Sequence, residues 1–121
     1  MTESPEPIHP GRVLLERVMT PLGVSRNRLA RDIDVPVGRI SEIVNGKRGV
    51  TADTALRLAK YFGTTPELWL KLQIEYDLHV ARTTVWNRVE SRVRIHKQPA
   101  GDVVQPAQTL YPPSGGNGAG E

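Results

Sequence analysis

The sequence predicts an all-α protein made of short, separately capped helices. Apolar residues recur at helical spacing in one segment after another, and those segments tend to open on Ser, Thr or Pro and close on Gly. With a single Phe, two Trp and three Tyr in 121 residues, the core must be filled by Leu, Val, Ile and Ala, which suits packed helices better than a sheet sandwich.

Taken in order, residues 1–7 hold two Pro and two Glu and read as a flexible tail. In "HPGRVLLERVM" Pro10 suits a first helical position, Val13, Leu14 and Val18 recur at i, i+1 and i+5, and "TPLG" from Thr20 is expected to stop the run. A second, two-turn helix starts at the N-cap Ser25, with Leu29, Ala30 and Ile33 on one side.

The stretch "VPVGRISEIVNGKRGV", residues 35–50, admits two readings, because an Asn-Gly pair between β-branched residues is a strong hairpin signal. As a strand it would mix apolar and charged side chains on both faces. As a helix it gathers Val37, Ile40, Ile43 and Val44 on one stripe and leaves Arg39, Ser41 and Glu42 elsewhere. Only the helix sorts the residues, so Pro36 is expected in its first turn and Asn45-Gly46 at its C-terminal stop.

Thr51 caps a fourth helix carrying Ala55, Leu58, Ala59 and Phe62 and closed by Gly63. Thr65 and Pro66 open a fifth, "TTPELWLKLQIEYDL". From Val80 the pattern continues through Val85, Trp86, Val89 and Val93, as a sixth helix or a bent continuation. The last 24 residues include four Pro and five Gly and are expected to be disordered. The expected organisation is a flexible tail at 1–7, a helical domain at 8–80, a basic helical extension at 81–97, and a Pro/Gly-rich tail at 98–121.

Catalysis finds little to hold. His9, His79 and His96 are scattered, and Glu75 with His79 at i, i+4 is far more often a surface ion pair than a metal site. No Gly-rich phosphate loop follows a strand, and with no Cys there are neither disulfides nor thiolate ligands. The protein is expected to be no enzyme and to need no cofactor or metal. The N-terminus has no basic region followed by an apolar run, and no stretch approaches the ~20 apolar residues of a membrane span. The expectation is a soluble, cytoplasmic protein without a membrane partner.

Nucleic-acid binding fits better. The net charge is +3, and six basic residues against three acidic ones lie between Arg26 and Arg48. A helix from Ser25, a turn at "IDVP" and a helix from Pro36 make a helix-turn-helix, whose second helix reads base edges from the major groove. Arg39 is the best candidate, since a guanidinium donates two hydrogen bonds to guanine. Val37 offers methyl contact to thymine, Ser41 reaches a base or phosphate, and Glu42 either accepts from cytosine or pairs with a nearby cation. Gly38 lets the backbone approach closely but weakens the helix by roughly 1 kcal/mol relative to Ala. Arg26 and Asn27, at a helix N-terminus, and Lys47 and Arg48, on the following loop, are candidates to hold phosphates.

Residues 8–81 closely resemble the HigA antitoxins, a phage-repressor-like (lambda repressor-like, Xre-type) helix-turn-helix group paired with RelE-like toxins. The resemblance rests on "HPG" at 9–11, "RISEIVNGKR" at 39–48, and "TADTALRLAKYFGT" followed by "WLKLQ" and "YDL". It implies a five-helix domain that dimerises, binds double-stranded operator DNA in its own promoter, and neutralises a HigB/RelE-like toxin that cleaves ribosome-associated mRNA. A stand-alone Xre-type regulator is the alternative. Arg26 stands where the wider group usually carries Gln, and Gly38 where a larger polar residue is more common. The apolar excess on the fifth helix, Trp69 with Leu68 and Leu72, is expected to supply part of the homodimer interface, although Leu68 and Leu72 are better explained by burial in the monomer core. Val85, Trp86 and Val89 beyond it are expected to pack on the dimer, with toxin docking or DNA contact as the other uses of that segment.

Overall fold

His9 begins the ordered helical part of the chain: its Nδ1 accepts the Gly11 N–H at 2.9 Å and caps the first helix, with Pro10 in the first helical position. The structure, a computed structural model, describes residues 6–97. The tail expected at 98–121, and all but Glu6 and Pro7 of that at 1–7, lie outside the described residues.

Helix α1, residues 10–22, is continuous but not uniform. Pro10–Val13 and Thr20–Leu22 are α-helical, and Leu14–Met19 between them is π-helical. The stop expected at "TPLG" therefore comes late, at Gly23 with φ 69°. The widened turn lies directly ahead of Pro21, whose ring would meet the carbonyl four residues back in a regular α-helix. There the Thr20 N–H bonds the Leu15 carbonyl, five residues back. Widening also explains the five-residue spacing in the sequence. Leu14 and Met19 would lie roughly 140° apart around an α-helix, yet both are fully buried.

Helix α2, Arg26–Ile33, is capped by Ser25, whose Oγ accepts the Arg28 N–H at 3.1 Å. It ends at Asp34, the one non-glycine residue with positive φ (62°) among the described residues. Helix α3 is Val37–Val44, so the Asn-Gly stretch is helical and not a hairpin. Pro36 sits at the N-cap, one position outside the first turn expected for it. At the other end Asn45 stays near-helical (φ −86°), while Gly46 takes the left-handed conformation at φ 78°. The Lys47 N–H then bonds the Glu42 carbonyl at 2.8 Å and the Gly46 N–H the Ile43 carbonyl at 3.0 Å, the paired closure of a Schellman motif.

Helix α4, Ala52–Phe62, is capped by Thr51 and closed by Gly63; α5, Pro66–Thr83, is capped by Thr65. Helix α5 runs through the boundary expected at residue 80 and breaks at Thr84. The Thr83 hydroxyl donates to the His79 carbonyl at 2.9 Å, and the Thr84 hydroxyl to the Val80 carbonyl at 2.6 Å. Back-bonding of this kind by β-branched residues competes with the helix ladder. A short α6, Val85–Val89, follows, and then a 3₁₀ turn, Glu90–Arg92. The extension expected at 81–97 is therefore not one helix, and residues 93–97 carry no helix at all. The chain divides into one unit through Glu90 and another from Ser91 onward, of which 91–97 are described.

In the first unit Leu14, Met19, Leu29, Ile40, Ile43, Leu58 and Trp69 form a buried core. Trp69 is 0% exposed, and its indole N–H donates to the Thr64 hydroxyl at 2.9 Å. The sequence expectation placed Trp69 on the dimer face; instead it is the largest side chain of the monomer core. Leu72 also packs against that core, while its neighbour Leu68 is 41% exposed. Helices α1 and α3 meet at Gly11, where an added Cβ would lie 1.7 Å from the Ile43 carbonyl oxygen. Only glycine allows that approach, and it fixes the start of α1 against the C-terminal end of α3.

Candidate nucleic-acid interface

Helices α2 and α3 pack against each other across the Asp34–Pro36 turn. Burying Ile40 and Ile43 completely orients α3 about its axis, because residues three apart share a face. Its other side then presents Val37 (44% exposed), Gly38 and Glu42 to solvent, with Arg39 and Ser41 half-buried at the margins. These are the N-terminal and outward positions from which a recognition helix reads base edges. Asn27 is exposed and Arg26 half-buried at the start of α2, where unbonded N–H groups favour anions.

The charged groups form two linked sets. Arg39 Nη1 donates to Asp53 Oδ2 at 3.2 Å, and Arg57 Nε donates to the same oxygen at 3.0 Å. Arg57 Nη1 in turn donates to the carbonyls of Ile33 at 2.8 Å and Asp34 at 3.0 Å, at the C-terminal end of α2. In the second set Arg48 Nε donates to Glu42 Oε1 at 2.7 Å, so of the two roles expected for Glu42 the structure records the ion pair. Both partners are about half exposed (49% and 51%), and such pairs yield at little cost to a stronger anion. Lys47 and Arg26 make no ion pair among the described residues.

The loop carrying Lys47 and Arg48 is held from α5. Gln73 Oε1 accepts the Val50 N–H at 2.7 Å, and its amide donates to Asp77 at 2.9 Å. Asp53, Arg57, Gln73 and Gly11 were not singled out from the sequence. Asp53 and Arg57 show there only as an i, i+4 pair, and nothing local tells that they reach residues 39, 33 and 34.

Three further groups have pKa values displaced from their ordinary ones. Partial burial lowers the pKa of His9 from 6.5, against an opposing pull from Asp77. The Tyr61 hydroxyl donates to Asp32 at 2.6 Å and lowers that carboxyl, and the same bond raises the phenol.

Of the expected dimer residues, Val85 (48%) and Trp86 (39%) are exposed and Val89 is half-buried. Leu78, Ala81, Arg82 and Trp86 line an open groove of about 310 Å³ between α5 and α6. Among the described residues no helix is long and apolar enough to cross a membrane.

Comparison with known proteins agrees with this geometry. Residues 15–69 match the helix-turn-helix family model. The chain is 33% identical over 104 residues to antitoxin HigA-1 of Vibrio cholerae, covering 85% of this chain and 93% of the relative. An addiction module antidote protein of a HigA family from Coxiella burnetii superposes with a TM-score of 0.69 at 46% identity, covering 76% of this chain and 100% of that one. Pseudomonas aeruginosa antitoxin HigA, solved with the higBA promoter, superposes with a TM-score of 0.70 at 35% identity, covering 73% and 96%. A capped helix-turn-helix and similarity to these relatives over nearly all of their length lead to the same conclusion: this chain belongs to the HigA family of helix-turn-helix antitoxins.

Proposed function

We propose that this chain is a non-catalytic, cytoplasmic antitoxin that works without a cofactor. As a homodimer it sets two α3 helices about 34 Å apart in successive major grooves of operator DNA in its own promoter. It also binds and neutralises a HigB/RelE-like, mRNA-cleaving toxin. The observation that carries the DNA half is the outward face of α3. Two fully buried isoleucines fix the helix, and Arg39, four positions from the α2–α3 turn residue Val35, is held at its edge with donors to spare. Support for the toxin half is family membership.

On this reading Arg39 reads a guanine, Val37 and Ser41 flank it, and Arg26, Asn27, Lys47 and Arg48 hold phosphates. The exposed Leu68, Val85 and Trp86, with the groove beside Leu78, supply apolar surface for a second copy.

A mobility-shift titration with a duplex from the region upstream of its own gene tests the DNA half. Binding is expected, with log affinity falling against log salt by about 0.9 per phosphate neutralised. Arg39→Ala is expected to lose about 1–3 kcal/mol of specific affinity. Absence of any shift at low salt defeats the reading. Co-expression with a short neighbouring frame encoding a basic protein tests the toxin half. Recovery of the pair supports it, and absence of such a partner leaves a stand-alone Xre-type regulator.

A further inference from the structure

We propose that Asp53 is a positioning residue for sequence reading: its Oδ2 holds the Arg39 guanidinium on one side and Arg57 on the other, and so orients the base-reading side chain of α3 from the first turn of α4. The inference rests on the DNA-reading role proposed for α3.

An acidic group beside a DNA-binding face works against affinity, because it repels phosphate. Two ordinary reasons exist for a carboxylate at this position, the positive end of α4 and an i, i+4 pair with Arg57. Neither requires a second guanidinium on the same oxygen, from a residue 14 positions away on another helix. Arg57 is not a free surface partner either, since its Nη1 is tied to the Ile33 and Asp34 carbonyls. The result is a relay from the end of α2, through α4, to the side chain of α3 that would read the base.

Asp53 is 58% exposed, so the contact contributes little to folding. Its effect falls on conformation. A free arginine must give up rotamer freedom when it docks on a base edge, and a side chain already ordered does not. The bond uses one of the five guanidinium donors and leaves enough for the two acceptors of guanine.

The test is a double-mutant cycle on the full chain, read as the ratio of affinities for the upstream duplex and a shuffled duplex of the same composition. Asp53→Asn is expected to weaken binding to the upstream duplex about 2- to 10-fold while binding to the shuffled duplex holds or tightens, because a negative charge has gone. In an Arg39→Ala background the same substitution is expected to leave the ratio unchanged. The inference is overturned if Asp53→Asn keeps the wild-type ratio, raises it, or lowers it equally without Arg39. Asp53→Glu keeps the charge for Arg57 and α4 but displaces the carboxylate by one methylene. It is expected to lower the ratio in the same direction, and an unchanged ratio overturns the proposal if the Asn variant does not fold. A wild-type protein that binds both duplexes equally defeats the DNA-reading role itself, a result distinct from these.

Discussion

Gly38 offers a substitution whose two expected effects run in opposite directions. It is the second residue of α3, exposed, with no positive φ, and a methyl group built on it meets nothing within 4 Å. The folded monomer therefore has no steric or backbone need for glycine there. Gly38→Ala should stabilise the helix by reducing the freedom of the unfolded chain, by about 0.4–1 kcal/mol. For a domain of this size that is a rise in Tm of roughly 2–8 °C. If the glycine is there to let the α3 backbone approach DNA, the added methyl overpacks that contact and costs about 1–3 kcal/mol of binding. Thermal melts followed by circular dichroism read the first effect, and mobility shifts on the upstream duplex read the second. A Tm that stays level or falls refutes the account of the free helix. A raised Tm with unchanged affinity shows instead that α3 does not bring its backbone against the DNA at residue 38.

The same substitution two helices earlier, in α1, has the opposite sign. Gly11→Ala drives a methyl into the Ile43 carbonyl and is expected to lower stability by at least about 1–3 kcal/mol, read as a reduced Tm. Trp69→Ala should cost about 3–5 kcal/mol and unfold much of the monomer, seen by urea titration, rather than yield a folded protein impaired only in dimerisation. His9 gives a pH dependence. Because its folded pKa lies below 6.5, protons bind the unfolded chain more readily, so stability should be full above that value and decline as pH falls through it. Protonation also removes the Nδ1 acceptor of Gly11. His9→Asn, which keeps a capping side chain, should flatten that part of the pH–stability curve.

The parts legible in the sequence are those decided within a few residues. Ser25, Thr51 and Thr65 cap helices because a hydroxyl three residues before an N–H needs no distant partner. Gly46 stops α3 for the same local reason, and the Ile40–Ile43 spacing sets its buried side. Choosing between Leu68 and Trp69 as the inward residue was not possible locally. Both lie on an apolar stretch of α5, and the core that accepts the indole, with Thr64 to bond its N–H, exists only once α4 and α5 have packed. The break at Thr84 had a local signal in the Thr-Thr pair, but apolar spacing alone continued past it. At the candidate site, the exposed side of α3 followed from periodicity. The partners that hold it, Asp53 for Arg39 and Gln73 for the Val50 N–H, come from 14 and 23 residues away and leave no periodic trace.

The π-helical stretch of α1 also sets how tolerant that helix is to changes in length. Between His9 and Gly23 the chain spends one residue more than a regular α-helix would need over the same path. Deleting a single residue from 15–18 would restore a regular spiral and bring Leu14 and Met19 to a four-residue spacing, about 40° apart around the helix. Gly11 would then keep its place against the Ile43 carbonyl, and His9 its edge-on contact with Tyr76, whose ring centre lies 4.9 Å off. The same deletion in a regular helix such as α4 would turn everything ahead of it by about 100°. Helix α1 is thus the one that can lose a residue and still fit against α3.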